Sequence, residues 1–169
     1  MAQETISRAA SLMLSAIILL IHIFADVDLV DVGIAEHSSL CSRVAYPFFH
    51  VSLLHAILNI WCLLSVVFYY PISAYSLILC FGVAMSIPID SLATLIPFAH
   101  FDTPTVGLSG VCFALMGRIS FMVARKWYYQ KWLWCYILIG FIFPNASGWI
   151  HLYCYLCGIM IGFINKPLR

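Results

Sequence analysis

The sequence predicts an all-α fold, a polytopic membrane bundle of six transmembrane helices. Three observations predict it. Only 9% of the 169 residues are charged and 64% are hydrophobic, whereas a soluble domain carries roughly 25% and 45–50%. The apolar runs are long and do not alternate, which suits helices crossing a bilayer and argues against a barrel. The Lys and Arg residues, finally, sort to one side of such a bundle. Disorder, a nucleic-acid partner and a small secreted disulfide scaffold are all excluded by a mean hydropathy of +1.02.

Six apolar runs lie between breakers, at about 9–24, 48–69, 74–87, 108–124, 131–143 and 149–164. Together they occupy most of the chain, so residues 1–169 are expected to form a single transmembrane domain. Several runs are shorter than the ~20 residues a crossing needs, so interfacial residues extend them or the bilayer thins locally. The first run follows Arg8 and shows no small-residue cleavage site before Asp26, so it is expected to be a retained helix and not a signal peptide. The second contains His50, His55 and Asn59. The third is short and plainly apolar. The fourth opens on Gly107-Leu-Ser109-Gly110 and holds Arg118. The fifth is introduced by Arg125, Lys126 and Lys131 and by an aromatic belt of Trp127, Tyr128, Tyr129 and Trp132. The sixth carries His151, Cys154, Gly158 and Gly162.

With six spans, seven basic residues (Arg8, Arg118, Arg125, Lys126, Lys131, Lys166 and Arg169) share one side, and Arg43 stands on the other. The acidic Asp26, Asp28, Asp31, Glu36, Asp90 and Asp102 lie on the Arg43 side. The positive-inside rule then places both termini in the cytoplasm. Six of the seven cysteines lie inside apolar runs and read as small apolar filler. Cys154-x-x-Cys157 has metal or redox spacing but stands in an apolar run with no second pair, and no phosphate loop is present, so neither a metal nor a cofactor is expected.

Ionisable and strongly polar groups inside membrane helices are costly, which makes each one a candidate for function. His55 and Asn59 are four residues apart and share a helix face, where two donors can hold a developing negative charge. His50 is rotated off that face and is expected to tie down the helix start or a loop. Gly107 permits a sharp turn. Ser109 then falls in the first helical turn, where unpaired N–H groups and the helix dipole favour an anion. Gly110 admits a close neighbour. Cys154, Gly158 and Gly162 form a small-residue stripe on the His151 face, so His151 is expected to face an adjacent helix. All even-numbered spans start on the same side, which puts these groups at similar depth. They match a nucleophile, a general base and oxyanion donors, with no acid to complete a triad.

The motifs His50-Val-Ser-Leu-Leu-His55-Ala-Ile-Leu-Asn59, Gly107-Leu-Ser109-Gly-Val-Cys-Phe113-Ala-Leu-Met-Gly117, and His151 with Gly158 and Gly162 resemble those of the rhomboid family of intramembrane serine proteases. The resemblance implies the minimal six-helix form, cleaving membrane-anchored proteins near the outer membrane face. It implies Ser109 as nucleophile, His151 as its base, and His55, Asn59 and the Ser109 N–H as the oxyanion hole, supported by His50, Gly107, Gly110 and Phe113. Phe113 stands where the family commonly has Tyr, Cys154 where it has Gly, and Ile150 where it has Ala. The two larger residues imply looser contact between spans 4 and 6. The first connection, about 25–46, is short and acidic and lacks the family's usual Trp-Arg pair. The expected partners are transmembrane substrates and the lipid bilayer, the expected location a bacterial inner membrane, and the oligomeric state is left open. Two rival readings are a proteolytically inactive rhomboid-like protein that binds transmembrane clients and a small channel or transporter.

Overall fold

The computed structural model describes residues 2–142 and 147–164, without the Ser147 side chain. The chain is helical: α1 (Ala2–Phe24), α2 (Leu29–Val32), α3 (Leu40–Ala45), a 3-10 turn (Tyr46–Phe48), α4 (Leu53–Tyr69), α5 (Ala74–Met85), α6 (Ile89–Leu95), α7 (Ser109–Ile119), α8 (Lys126–Gly140) and α9 (Ser147–Ile164). The β pairing among the described residues is one isolated bridge, Ile34 to Thr105.

Each apolar run of the sequence overlaps one of these helices, but several ends differ. The second run does not start as helix at residue 48. It begins as a 3-10 turn and an extended stretch, and α4 starts only at Leu53, where Ser52 accepts from the His55 N–H. Such a cap satisfies a donor that the helix start leaves orphaned. The fourth run is helical for 11 residues, not to residue 124. Its end is tied off at Met116, whose carbonyl accepts from Ser120 Oγ at 3.2 Å and Tyr129 Oη at 2.7 Å. The fifth helix starts at Lys126, so most of the basic and aromatic belt forms its first turns. Residue 143, the expected end of that run, lies outside the described residues.

Helix α1 is the one described helix that alone has the length and hydropathy to cross a bilayer. Two bent pairs reach that standard when each is taken as one broken span: Leu40–Phe48 with α4, at 86°, and α5 with α6, at 52°. The second break falls beside Pro88, which has no N–H to continue the ladder.

Helix α7 is the central element, packed against α4, α5 and α9. Eight of its residues, including Phe113, Leu115 and Ile119, are buried. Its contact with α9 is the most intimate in the molecule. A Cβ added at Gly117 would strike the Tyr155 carbonyl, one at Gly158 the Ala114 carbonyl, and one at Gly162 the Arg118 carbonyl. Small residues thus bring the two backbones together, the usual device of membrane helix pairs. The looser contact expected from Ile150 and Cys154 is not found. Both are buried, and Cys154 Sγ fits against Gly110.

The bundle exterior is apolar. Met13 and Leu20 on α1, Trp61 on α4, Trp127 and Trp132 on α8 and Met160 on α9 are all exposed. Polar groups turn inward instead: Ser7, Ser11 and Ser15 form a buried stripe on α1. A globule in water has the opposite arrangement.

The connection before α4 is pinned to the α5–α6 break. Arg43 donates to the Ile87 carbonyl at 2.6 Å and pairs with Asp90 at 2.9 Å. Asp90 also accepts from the His37 N–H at 2.7 Å, and Tyr46 Oη donates to the Ala84 carbonyl at 2.8 Å.

Candidate active site

The site is assembled at the N-terminal end of α7. Backbone bonds steer the chain into it: Thr105 pairs with Ile34, and the Gly107 N–H donates to the Tyr46 carbonyl at 2.9 Å. Gly107 has φ +129°, a conformation that side-chain-bearing residues rarely adopt. The Leu108 N–H donates to His50 Nε2 at 3.2 Å. His50 therefore ties the stretch before α4 to the stretch before α7, the role its position off the His55 face suggested. Its ring meets His55 edge-on, with centroids 5.0 Å apart.

Ser109 follows as the first residue of α7. The first α-type bond of the helix runs from the Cys112 N–H to the Leu108 carbonyl. The N–H groups of Ser109, Gly110 and Val111 therefore belong to the turn that has no acceptors within the helix. They point along the positive end of its dipole.

His151 comes from the second turn of α9, and its Nε2 lies 2.9 Å from Ser109 Oγ. A hydrogen bond of that length joins a hydroxyl to the nitrogen that can take its proton. The Phe113 ring stacks on the imidazole with centroids 4.2 Å apart and planes 20° apart. Phe113 is one turn beyond Ser109, so α7 supplies both the hydroxyl and the flat surface against the imidazole. His151 Nδ1 is buried and has no hydrogen-bond partner among the described residues. Gly140 and Gly148 pack against each other beside it, which lets the end of α8 approach the start of α9.

His55 and Asn59 project from α4 into the space that a side chain at Gly107 would fill. A Cβ there would lie 2.7 Å from His55 Cε1, 3.1 Å from His55 Nε2 and 3.6 Å from Asn59 Nδ2. Both groups thus gather around the turn two residues before Ser109. Asn59 is buried, and its amide donates to the His55 carbonyl at 3.0 Å. A side-chain amide has two N–H donors, so that bond leaves one for another acceptor. Gly110 faces Tyr46 Oη, Cys154 Sγ and Ala84; a Cβ there would lie a tight 3.1 Å from the Tyr46 hydroxyl and in ordinary contact with the other two.

All eight residues singled out in the sequence (His50, His55, Asn59, Gly107, Ser109, Gly110, Phe113 and His151) are therefore gathered around the start of α7. Sequence reasoning passed over two others. Tyr46 is buried and braces the site: its carbonyl holds Gly107, and its hydroxyl both donates to the Ala84 carbonyl and packs against Gly110. The signal available was an aromatic next to Pro47 just before an apolar run. Cys112 Sγ lies 3.4 Å from the Asn59 carbonyl and joins α7 to α4; nothing in its spacing marked it. Among the described residues no group of His, Cys, Asp and Glu is placed to hold a metal.

A family model described as Rhomboid domain matches residues 37–167. That interval begins after α1 and contains every site residue. No curated protein and no solved structure matches the chain.

Proposed function

The chain belongs to the rhomboid family and is an integral membrane protein, and from that premise we propose that it is an intramembrane serine endopeptidase. Its substrates are membrane-anchored proteins, cut near the outer membrane face. The observation that carries the reading is the 2.9 Å contact between Ser109 Oγ and His151 Nε2.

In the proposed reaction a substrate helix unwinds locally and enters between α4 and α8 as an extended segment. His151 Nε2 takes the Ser109 proton as Oγ attacks the scissile carbonyl carbon. The negative charge that develops on the carbonyl oxygen is met by the Ser109 N–H and by side-chain donors from His55 and Asn59. Donors fixed beforehand in a water-poor site stabilise such a charge far more than solvent does. His151 returns the proton to the leaving amine, and the acyl-enzyme ester remains. Water, deprotonated by His151, attacks the ester and restores Ser109.

The proposed topology has six spans with both termini in the cytoplasm of a bacterial inner membrane. Helix α7, at 11 residues, is about 16 Å long and cannot alone cross a core of about 30 Å. A serine at its non-cytoplasmic end therefore sits below the surface, where a transmembrane substrate presents its backbone.

The test uses purified chain in proteoliposomes with a reporter carrying one transmembrane helix. The wild type is expected to release a defined fragment, and Ser109→Ala and His151→Ala none. Cleavage that persists in purified Ser109→Ala would sink the assignment.

A further inference from the structure

A second feature lies at the opposite end of α7 from Ser109. An open groove of about 540 Å³ runs between the last turns of α4 and α7 and the first turn of α8. Its walls are apolar and aromatic: Ser65, Phe68 and Tyr69 from α4, Met116 and Ile119 from α7, and Tyr129 from α8. Its size falls within the ~300–1,000 Å³ of ordinary ligand sites. Tyr129 donates to the Met116 carbonyl at 2.7 Å, which ties the α8 wall of the groove to its α7 wall.

Cations stand on two of the neighbouring helices, α1 and α8. Arg8 reaches over from α1, with its guanidinium carbon 5.6 Å from the centre of the Phe68 ring. Arg8 Nε is buried without a hydrogen-bond partner. Lys126, exposed at the first position of α8, is three residues from Tyr129 and so lies on the same helix face. Arg125 precedes it. Glu4, one turn before Arg8 on α1, is the one acidic residue of the sequence assigned to this side. An apolar slot at the membrane boundary with cations on neighbouring helices fits an amphiphile that has an acyl chain and a negatively charged head.

We infer that this groove is a binding site for one anionic phospholipid of the cytoplasmic leaflet. An acyl chain lies against Met116, Ile119 and Tyr69, and the phosphate sits between Lys126 and Arg8. Basic pockets between membrane helices recognise lipid head groups by this chemistry. The bound lipid fills the gap between α4 and α8 at their cytoplasmic ends. The site does not depend on whether the chain is a protease.

The experiment is native mass spectrometry of the purified full chain after exposure to equal amounts of phosphatidylglycerol and phosphatidylcholine. The wild type is expected to retain phosphatidylglycerol over phosphatidylcholine by about fivefold or more, the worth of one cation near a membrane surface. Two exposed positions give independent variants: Lys126→Gln should lower the ratio several-fold while Arg8 keeps it above one, and Ser65→Trp, which fills the slot, should remove most retained lipid of either kind. Equal retention of the two lipids by the wild type, or a preference unchanged by both variants, overturns the proposal.

Discussion

The Phe113 ring lies flat on the His151 imidazole, centroids 4.2 Å apart, and in the proposed reaction this stack orients the base. A stacked aromatic pair contributes about 0.5–1.5 kcal/mol beyond its buried area. Where the reaction needs His151 held against Ser109, that energy appears in the rate. Phe113→Leu is expected to lower kcat/KM on a transmembrane reporter by roughly three- to tenfold. Phe113→Tyr, which keeps the ring, should stay close to wild type. Steady-state cleavage kinetics in proteoliposomes check both, and a Phe113→Leu enzyme with unchanged kinetics would show that the stack does not position the base.

Gly107 is held at φ +129° with the His55 ring in the place of its missing side chain. An alanine there meets both strain, about 1–3 kcal/mol, and a contact at 2.7 Å with His55 Cε1. Gly107→Ala is therefore expected to lower thermal stability and to abolish cleavage, because relief requires moving either His55 or the chain that leads into Ser109. Differential scanning fluorimetry and the reporter assay read the two effects separately. A variant that is as stable and as active as wild type contradicts the described turn.

The Arg43–Asp90 link ties the connection before α4 to the α5–α6 break, outside the six apolar runs. The His37 N–H bond, and then the Arg43 charge, hold the Asp90 carboxyl below the usual carboxylate range. A lowered folded-state value means that this carboxylate stabilises the fold above its unfolded value of about 3.9 and loses that contribution as pH falls through the lowered one. Asp90→Asn should therefore melt below wild type by a constant margin from about pH 7 to pH 5, and the margin should close in more acidic buffer. Melting curves across that range check the sign. Because Asp90 is half exposed, the margin is expected to be small.

Much of this arrangement is legible in the sequence, because charge scarcity leaves few polar groups inside apolar runs. His55, Asn59, Ser109 and His151 stand out for that reason, and helix spacing alone puts His55 beside Asn59 and His151 above Gly158. The ends of the helices are less legible, because hydropathy does not decide them. Residues 120–124 are as apolar as the helix before them, yet α7 stops at Ile119 where Ser120 and Tyr129 take the Met116 carbonyl. His50 lies in an apolar run, yet it precedes α4 because Ser52 caps that helix.

Long-range ties are illegible for a different reason. Arg43 with Asp90 and Tyr46 with Ala84 join residues about forty apart, and no local pattern reports such a pair. The size of Cys154 and Ile150 is a poor guide to the packing of α7 on α9. The glycines that set the distance are Gly117, Gly158 and Gly162, which the chain retains.

The central claim is that Ser109 is a nucleophile activated by His151. The most direct measurement is labelling of the purified chain by a fluorophosphonate, which reacts with an activated serine hydroxyl, followed by peptide mapping. One adduct is expected, on Ser109, lost in Ser109→Ala and reduced at least about a hundredfold in His151→Ala, the scale of a general base. No adduct on a folded wild-type protein, or labelling of equal rate in His151→Ala, would contradict it and leave a rhomboid-family membrane protein that binds clients without cutting them.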